Sequence, residues 1–115
     1  MPIQTQEHVQ LNTLAALLHS LSDSTRLAIV HTLSKGEARV ADLVEQLDLA
    51  QSTVSAHIAC LKDCGLVEGR PEGRQIFYSL TSPNLTHLLG DAEVILEQTN
   101  QAVAHCPVFG DGREC

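Results

Sequence analysis

The chain carries four cysteines in 115 residues, at positions 60, 64, 106 and 115. Cys60 and Cys64 lie four apart within "SAHIACLKDCGLV", Ser55 to Val67. On a helix, residues at i and i+4 share a face, with Cβ atoms roughly 5–6 Å apart. A disulfide needs a Cβ separation of about 3.5–4.5 Å, so joining these two would distort the helix. A metal sets a looser condition, because sulfurs about 2.3 Å from zinc, or farther from a larger ion, can stand several ångströms apart. Two thiolates leave the ion under-coordinated. Cys106, just beyond the last helical pattern, is the best third ligand. Cys60, Cys64 and Cys106 therefore make a candidate three-thiolate site. Such a soft site favours cadmium, lead, mercury, arsenite or Cu(I) over magnesium or manganese, and zinc also binds thiolates. The plainer alternatives are buried structural thiols at Cys60 and Cys64 and a tail residue at Cys106. Cys115 reads as a solvated tail thiol, with auxiliary ligation as the alternative. Of the six histidines, His57 stands one turn before the thiol pair and suits a phosphate or base contact better than ligation. His19, His31 and His87 read as packing or surface residues, His105 as exposed, and His8 carries no signal.

The rest of the composition bounds the setting. One modest domain fits 115 residues, and at that size a dimer interface adds useful burial. There is no apolar run near eighteen residues, and "MPIQTQEHVQ" has neither a basic nor an apolar leader segment. The expectation is a cytoplasmic protein without a membrane partner, whose thiols are reduced. The net charge is −7, which argues against a generic nucleic-acid binder; any DNA affinity must come from local placement.

The elements that would position the thiols follow from periodicity. Residues 8–21 place Leu11, Leu14, Ala15 and Leu18 at helical spacing. Asp23 opens a second helix over about 24–34, ended at Lys35–Gly36. "VADLVEQL", 40–47, has apolar residues at i, i+3, i+4 and i+7. After a tight turn at 48–50, a fourth helix runs over 51–64 and stops at Gly65. In "LVEGRPEGRQIFYSL", 66–80, two extended runs flank "RPEGR", with Pro71 and Gly73 as turn formers; Ile76, Tyr78 and Leu80 alternate as a half-buried strand would. Ser82 and Pro83 suit the N-cap and first position of a last helix of about 20 residues, with an apolar stripe from Leu85 to Val103. The expected fold is mostly α with a small β-hairpin: a winged helix-turn-helix. Residues 1–104 form the domain and 105–115 a flexible tail carrying Cys106.

A helical wheel drawn from Val54 puts Val54, Ile58 and Leu61 on the core face. Ser52, Ser55 and Ala59 fall opposite, where a groove would be. Cys60 and Cys64 fall on a flank between them, about 40° apart, with Thr53 and His57. The thiols can be used without occupying the DNA face. Gln51, Ser52, Thr53, Ser55 and His57 are the candidate DNA contacts of this helix, whose N-terminus offers free amides to phosphate. Arg70 and Arg74 are the candidate contacts of the wing, against the alternative of a plain solvated turn. Asp63, Glu68 and Glu72 offset their charge, so a shallow salt dependence is expected.

Together "LSDSTRLAIVHTL", "VADLVEQLDLAQSTVSAHIACLKDCGLV" and "EGRQIFYSL" resemble the ArsR/SmtB metalloregulatory repressors over about residues 12–100. "SAHIACLKDCGLV" with a tail cysteine is most similar to the CmtR-type cadmium/lead sensors. The resemblance implies a homodimer that binds double-stranded operator DNA when metal-free and leaves it on binding Cd2+ or Pb2+, with Zn2+ or arsenite as further effectors. It also implies that Cys106 is supplied by the other protomer; the residues themselves leave cis and trans open. Four departures stand out. Asp48 replaces a frequent Gly, Ala50 replaces a frequent Ser or Thr cap, and Cys-x-x-x-Cys replaces Cys-x-Cys. Asp91 is followed by Glu93 where a zinc pattern would need His. The rival function is a regulator released by thiol oxidation. An enzyme lacks support, because there is no Cys-x-x-Cys and no Gly-rich phosphate loop. A constitutive DNA-binding protein with a structural zinc is a further alternative.

Overall fold

The computed structural model of the chain describes residues 5–110. It divides into two compact units, Met1–Ser82 and Pro83–Cys115. The first holds helices α1 (Thr5–Ser20), α2 (Ser24–Leu33), α3 (Val40–Leu47) and α4 (Gln51–Asp63), then strands β1 (Val67–Glu72) and β2 (Gln75–Leu80). The second holds α5 (Asn84–Gln98) and a 3-10 turn, Ala102–His105. No helix among the described residues is long and apolar enough to cross a membrane.

Each helix of the first unit starts and stops for a local reason. Asp23 sits in extended backbone and accepts the Arg26 N–H at 2.9 Å, which caps α2. Asp42, in the first turn of α3, accepts the Arg39 N–H at 2.9 Å and is clasped by the Arg39 guanidinium at 2.7 and 3.0 Å. Asp48 ends α3 in the left-handed conformation (φ 55°, ψ 51°), which Asp tolerates better than most side chains. Ala50 stands at the N-cap of α4 in extended backbone and makes no side-chain cap bond. Gly65, at φ +78°, turns the chain after α4.

The core of this unit is aliphatic. Ile29, Val30, Leu33, Leu43, Val54, Ile58, Leu61 and Val67 are all buried. Helices α2, α3 and α4 pack on one another and on the hairpin. The hairpin is antiparallel, with Val67 opposite Leu80 and Glu72 opposite Gln75. Ala38 adds a third rung, exchanging both backbone hydrogen bonds with Tyr78 at 2.8 and 3.0 Å. The order of elements is that of a winged helix-turn-helix: α3 and α4 joined by a short turn, with β1 and β2 as the wing.

Several expectations need correction. The turn of the wing is not spread over "RPEGR": Pro71 lies inside β1 opposite Ile76, and the reversal is made by Gly73 and Arg74 alone. Gly73 takes φ +64°, as the first central residue of a two-residue hairpin turn of the II′ kind does. The alternation in β2 is lost: Ile76 is exposed, Tyr78, Ser79 and Leu80 are half-buried, and so is Phe77. The Arg39 and Arg70 guanidiniums lie 5.9 and 5.1 Å from its ring centroid and cover it. Pro83, not Ser82, holds the N-cap position of α5. The last helix is 15 residues long rather than about 20. It ends where Asn100 and Gln101 adopt positive φ, 53° and 61°, a conformation that Asn accepts readily and that breaks helical bonding. Val103 is therefore on the 3-10 turn and not on the helical stripe.

Candidate functional site

Helix α4 has three sides, as its spacing predicts. Val54, Ile58 and Leu61 are buried. Gln51, Ser52, Ser55 and Ala59 are exposed. Thr53, His57 and Cys60 are half-buried along one flank, and Cys64, the C-cap residue, is exposed at its end. The thiols of Cys60 and Cys64 interact. Burial is the first cause that pushes the Cys64 thiol above its ordinary value, and the charge and hydrogen bond of Cys60 come next.

The flank is met by the first turn of α2. The Arg26 guanidinium donates from Nη1 to Cys60 Sγ at 3.7 Å, while its Nε is buried without a hydrogen-bond partner. Asp23 Oδ2 lies 3.8 Å from His57 Nε2. The Asp23 carboxyl is held below its ordinary value, first by the Arg26 N–H it accepts and then, against some burial, by His57. Neither Asp23 nor Arg26 is among the residues to which spacing points. Only one signal is present: Arg26 is the single cation of formal charge in the apolar run "STRLAIVHTL".

The described part of the second unit presents one thiol. Cys106 is half-buried after the 3-10 turn. Its thiol is held below the ordinary value by the backbone N–H groups of Phe109 and Val108, and the Gly110 N–H closes the turn on the Cys106 carbonyl at 2.8 Å. Among the described residues no group of three or more His, Cys, Asp or Glu is gathered. Cys60 and Cys64 are brought together, then, and Cys106 belongs to the other unit. Cys115 lies outside the described residues.

On the DNA side, Gln51, Ser52 and Ser55 stand open to solvent in the first turns of α4, with Thr53 and His57 partly covered. The wing arginines differ. Arg70 is bound by Glu37 at 2.6 Å and Glu72 at 2.9 Å, and both hydrogen bonds push its basicity up. Arg74 sits at the hairpin tip and is exposed.

The pattern described as "Bacterial regulatory protein, arsR family" matches residues 23–69. The chain is 40% identical over 86 residues to the HTH-type transcriptional regulator CmtR of Mycobacterium tuberculosis, which covers 74% of this chain and 73% of that protein. It is 32% identical over 104 residues to a "Probable mercury resistance operon repressor" of Streptomyces lividans, covering 90% and 83%. Among solved structures, a homodimeric winged helix-turn-helix DNA-binding domain from Mycobacterium bovis superposes with a TM-score of 0.74 at 26% identity, covering 85% of this chain and 91% of that one.

Proposed function

Since the chain belongs to the ArsR family of bacterial regulatory proteins, DNA-binding transcriptional regulators rather than enzymes, we propose that it is a repressor released from its operator by a soft metal ion. The metal-free form is a cytoplasmic homodimer. It presents Gln51, Ser52, Thr53, Ser55 and His57 of two α4 helices to the half-sites of a palindrome, with the exposed Arg74 on the flanking backbone, while Arg70 stays engaged by Glu37 and Glu72. The exposed Leu11, Leu14 and Leu18 of α1 and Val94 and Ile95 of α5 supply apolar surface for the dimer.

The observation that carries the effector reading is the pair of interacting thiols on the flank of α4, off both its core face and its outward face. Cys60 and Cys64 are two ligands, and Cys106 of the partner chain is the third. The chain's own part in the switch is positional: an ion that holds Cys60, Cys64 and Cys106 ties the C-terminal end of α4 to the segment after α5. The tied dimer fits the operator less well. By linkage, metal then binds the free protein more tightly than the DNA-bound protein, by the same factor that it weakens the operator complex. Cadmium and lead suit the three sulfurs best, with zinc and arsenite as further effectors.

The test is operator binding by the metal-free dimer, titrated in parallel with cadmium, lead, zinc and arsenite. Cys60→Ser and Cys64→Ser keep operator affinity and lose release. Cys106→Ser weakens the cadmium–thiolate ultraviolet band. If either α4 variant cannot bind operator while folded and dimeric, the thiols serve the structure. If peroxide releases operator in chelator-treated buffer and cadmium does not, the signal is thiol oxidation.

A further inference from the structure

Glu37, Ala38 and Arg39, the last residues before α3, meet the wing at three successive points. Arg70 of β1 donates to both carboxylate oxygens of Glu37, from Nη2 at 2.6 Å and from Nε at 3.3 Å, a forked pair. Ala38 is buried and exchanges both backbone hydrogen bonds with Tyr78 of β2. The Arg39 guanidinium lies 5.9 Å from the Phe77 ring centroid and is itself held by Asp42 of α3. Arg70 and Phe77 are register partners across the hairpin, and Arg70 also lies over that ring at 5.1 Å. Three consecutive residues thus grip both strands of the wing and root the grip in the first helix of the helix-turn-helix.

A two-stranded hairpin is marginally stable at best by itself, so a wing keeps its direction only through what it leans on. Outward of the Arg70–Phe77 pair, residues 71–76 are all exposed, and Arg74 stands at that uncovered tip. The Arg70 and Glu37 side chains are themselves 52% and 41% exposed. An ion pair so open to water adds little to the stability of the fold; its forked geometry fixes an angle instead. We propose that Glu37 is a positioning residue for DNA binding: through Arg70 it sets the angle of the wing, so that Arg74 meets the phosphate backbone while α4 occupies the groove. The proposal rests on the Arg74 contact in the function above, and it adds a residue that itself touches no DNA.

Charge gives the proposal an unusual sign. The chain already carries a net charge of −7, and a carboxylate near bound DNA repels phosphate. Removing an anion from this region strengthens binding unless that anion holds a contact in place. Arg70 carries two carboxylates that differ in this respect. Glu72 lies two residues on along β1, and its bond to Arg70 at 2.9 Å stays within the wing. Glu37 lies 33 positions back, outside the wing, and its bond crosses to the body of the domain. The two acids share one partner and one charge. Loss of Glu72 relieves repulsion alone, whereas loss of Glu37 also frees the wing to swing.

The probe is a DNA duplex selected from a random pool by the wild-type, metal-free full chain, with affinity read by fluorescence anisotropy at several salt concentrations. Glu72→Ala binds this duplex as tightly as the wild type or more tightly. Glu37→Ala binds it about threefold more weakly, the scale of an exposed ion pair, although it removes a negative charge. Arg70→Gln is weakened as well and keeps the wild-type slope of log K against log salt, since no phosphate contact is lost. In an Arg74→Ala background Glu37→Ala costs nothing further, because residues that act through one contact are not additive. Thermal midpoints stay near that of the wild type, as expected for substitutions at exposed side chains. The inference is overturned if Glu37→Ala binds as tightly as the wild type or more tightly, if Arg70→Gln lowers the salt slope by about one, or if the Glu37→Ala loss persists in full without Arg74. Weaker binding by Arg74→Ala with none by Glu37→Ala sinks this inference alone. Wild-type affinity in Arg74→Ala sinks the wing contact of the proposed function, and this inference with it.

Discussion

The Arg26 guanidinium on α2 reaches across to Cys60 on α4, with Nη1 3.7 Å from Sγ. This places a fixed cation against one of the two thiols and joins the first turn of α2 to the recognition helix. Asp23, three residues earlier, makes the companion contact with His57 at 3.8 Å. The α4 flank is thus held at two successive turns by one short stretch of sequence, "DSTR". A metal or metalloid arriving at Cys60 must form its bond beside this guanidinium.

Removing the cation should be felt in the affinity. A bound thiolate cluster is anionic, and a guanidinium touching one sulfur favours it by an amount that solvent reduces well below the dry-interior limit. Arg26→Gln is expected to weaken cadmium about tenfold, or about 1.4 kcal/mol, and Arg26→Lys by less. Competition against a chelator at fixed pH measures both. Equal affinities in all three proteins would leave Arg26 only a packing role.

Proton release gives a second expectation. Burial and Cys60 push the Cys64 thiol up, so it is protonated at neutral pH and must lose its proton to bind metal. Affinity therefore rises with pH and falls as pH drops, the sign for a ligand that is active only when deprotonated. Between pH 6 and 8 the cadmium constant should gain about tenfold per unit for each thiol still protonated. Cys106 is held below the ordinary thiol value by two backbone N–H groups, so its share of the slope ends at a lower pH than that of Cys64. Cys64→Ser should flatten the pH profile more than Cys106→Ser; the reverse order would contradict the assignment.

The wing offers a contrast between two arginines. Arg70 is engaged by Glu37 and Glu72 and lies over Phe77, so little of its charge is free for phosphate. Arg74 stands exposed at the tip. Arg74→Ala should therefore lower the slope of log K against log salt by about one for each phosphate that Arg74 neutralises, whereas Arg70→Ala should leave it nearly unchanged. A steeper drop at Arg70 would mean that its two carboxylates let go on binding.

Much of this fold is legible in the sequence because it depends on near neighbours along the chain. The core stripe Val54, Ile58, Leu61, the Asp23 cap, the left-handed Asp48 and the stop at Gly65 all follow from spacing or from a single residue's preferences. What escapes depends on pairs far apart in the chain. Nothing local to Arg70 announces Glu37, and nothing local to Cys60 announces Arg26, 34 positions away. The end of α5 departs from its spacing for a different reason. Val103 continues the apolar period, but the backbone at Asn100 and Gln101 leaves the helix first, and hydrophobic period does not register such a break. The thiol pair is legible as a pair, since its two members share one helix face.

Asp42 sets an acid limit on the recognition unit. The Arg39 guanidinium, and then the Arg39 N–H, hold its carboxyl down to about 2 from the usual 3.8. A depressed carboxylate stabilises the fold fully above the unfolded value and loses that contribution as pH falls through the folded value. Wild type and Asp42→Asn should accordingly differ in melting temperature at pH 5–7, with the variant lower, and converge toward pH 2. A gap that persists unchanged at pH 2 would show that the side chain acts by shape and not by charge.

Ala50 supplies the last expectation, on the helix that carries the thiols. It occupies the N-cap position in extended backbone (φ −65°, ψ 145°) and gives α4 no side-chain acceptor. The N–H groups of the first turn are unpaired within any helix, and a Ser at this position satisfies one of them. The backbone is already in the cap conformation, so Ala50→Ser needs no rearrangement. The gain is about 1 kcal/mol, which in a domain of this size raises the melting temperature by about 4 °C. Ala50→Gly should recover most of that gain, since Gly ranks close behind the hydroxyl residues at this position. Thermal melts of the metal-free proteins at one concentration decide it. An unchanged or lowered midpoint for Ala50→Ser would move the start of α4 away from Gln51, and with it the register that places Cys60 and Cys64 on the flank.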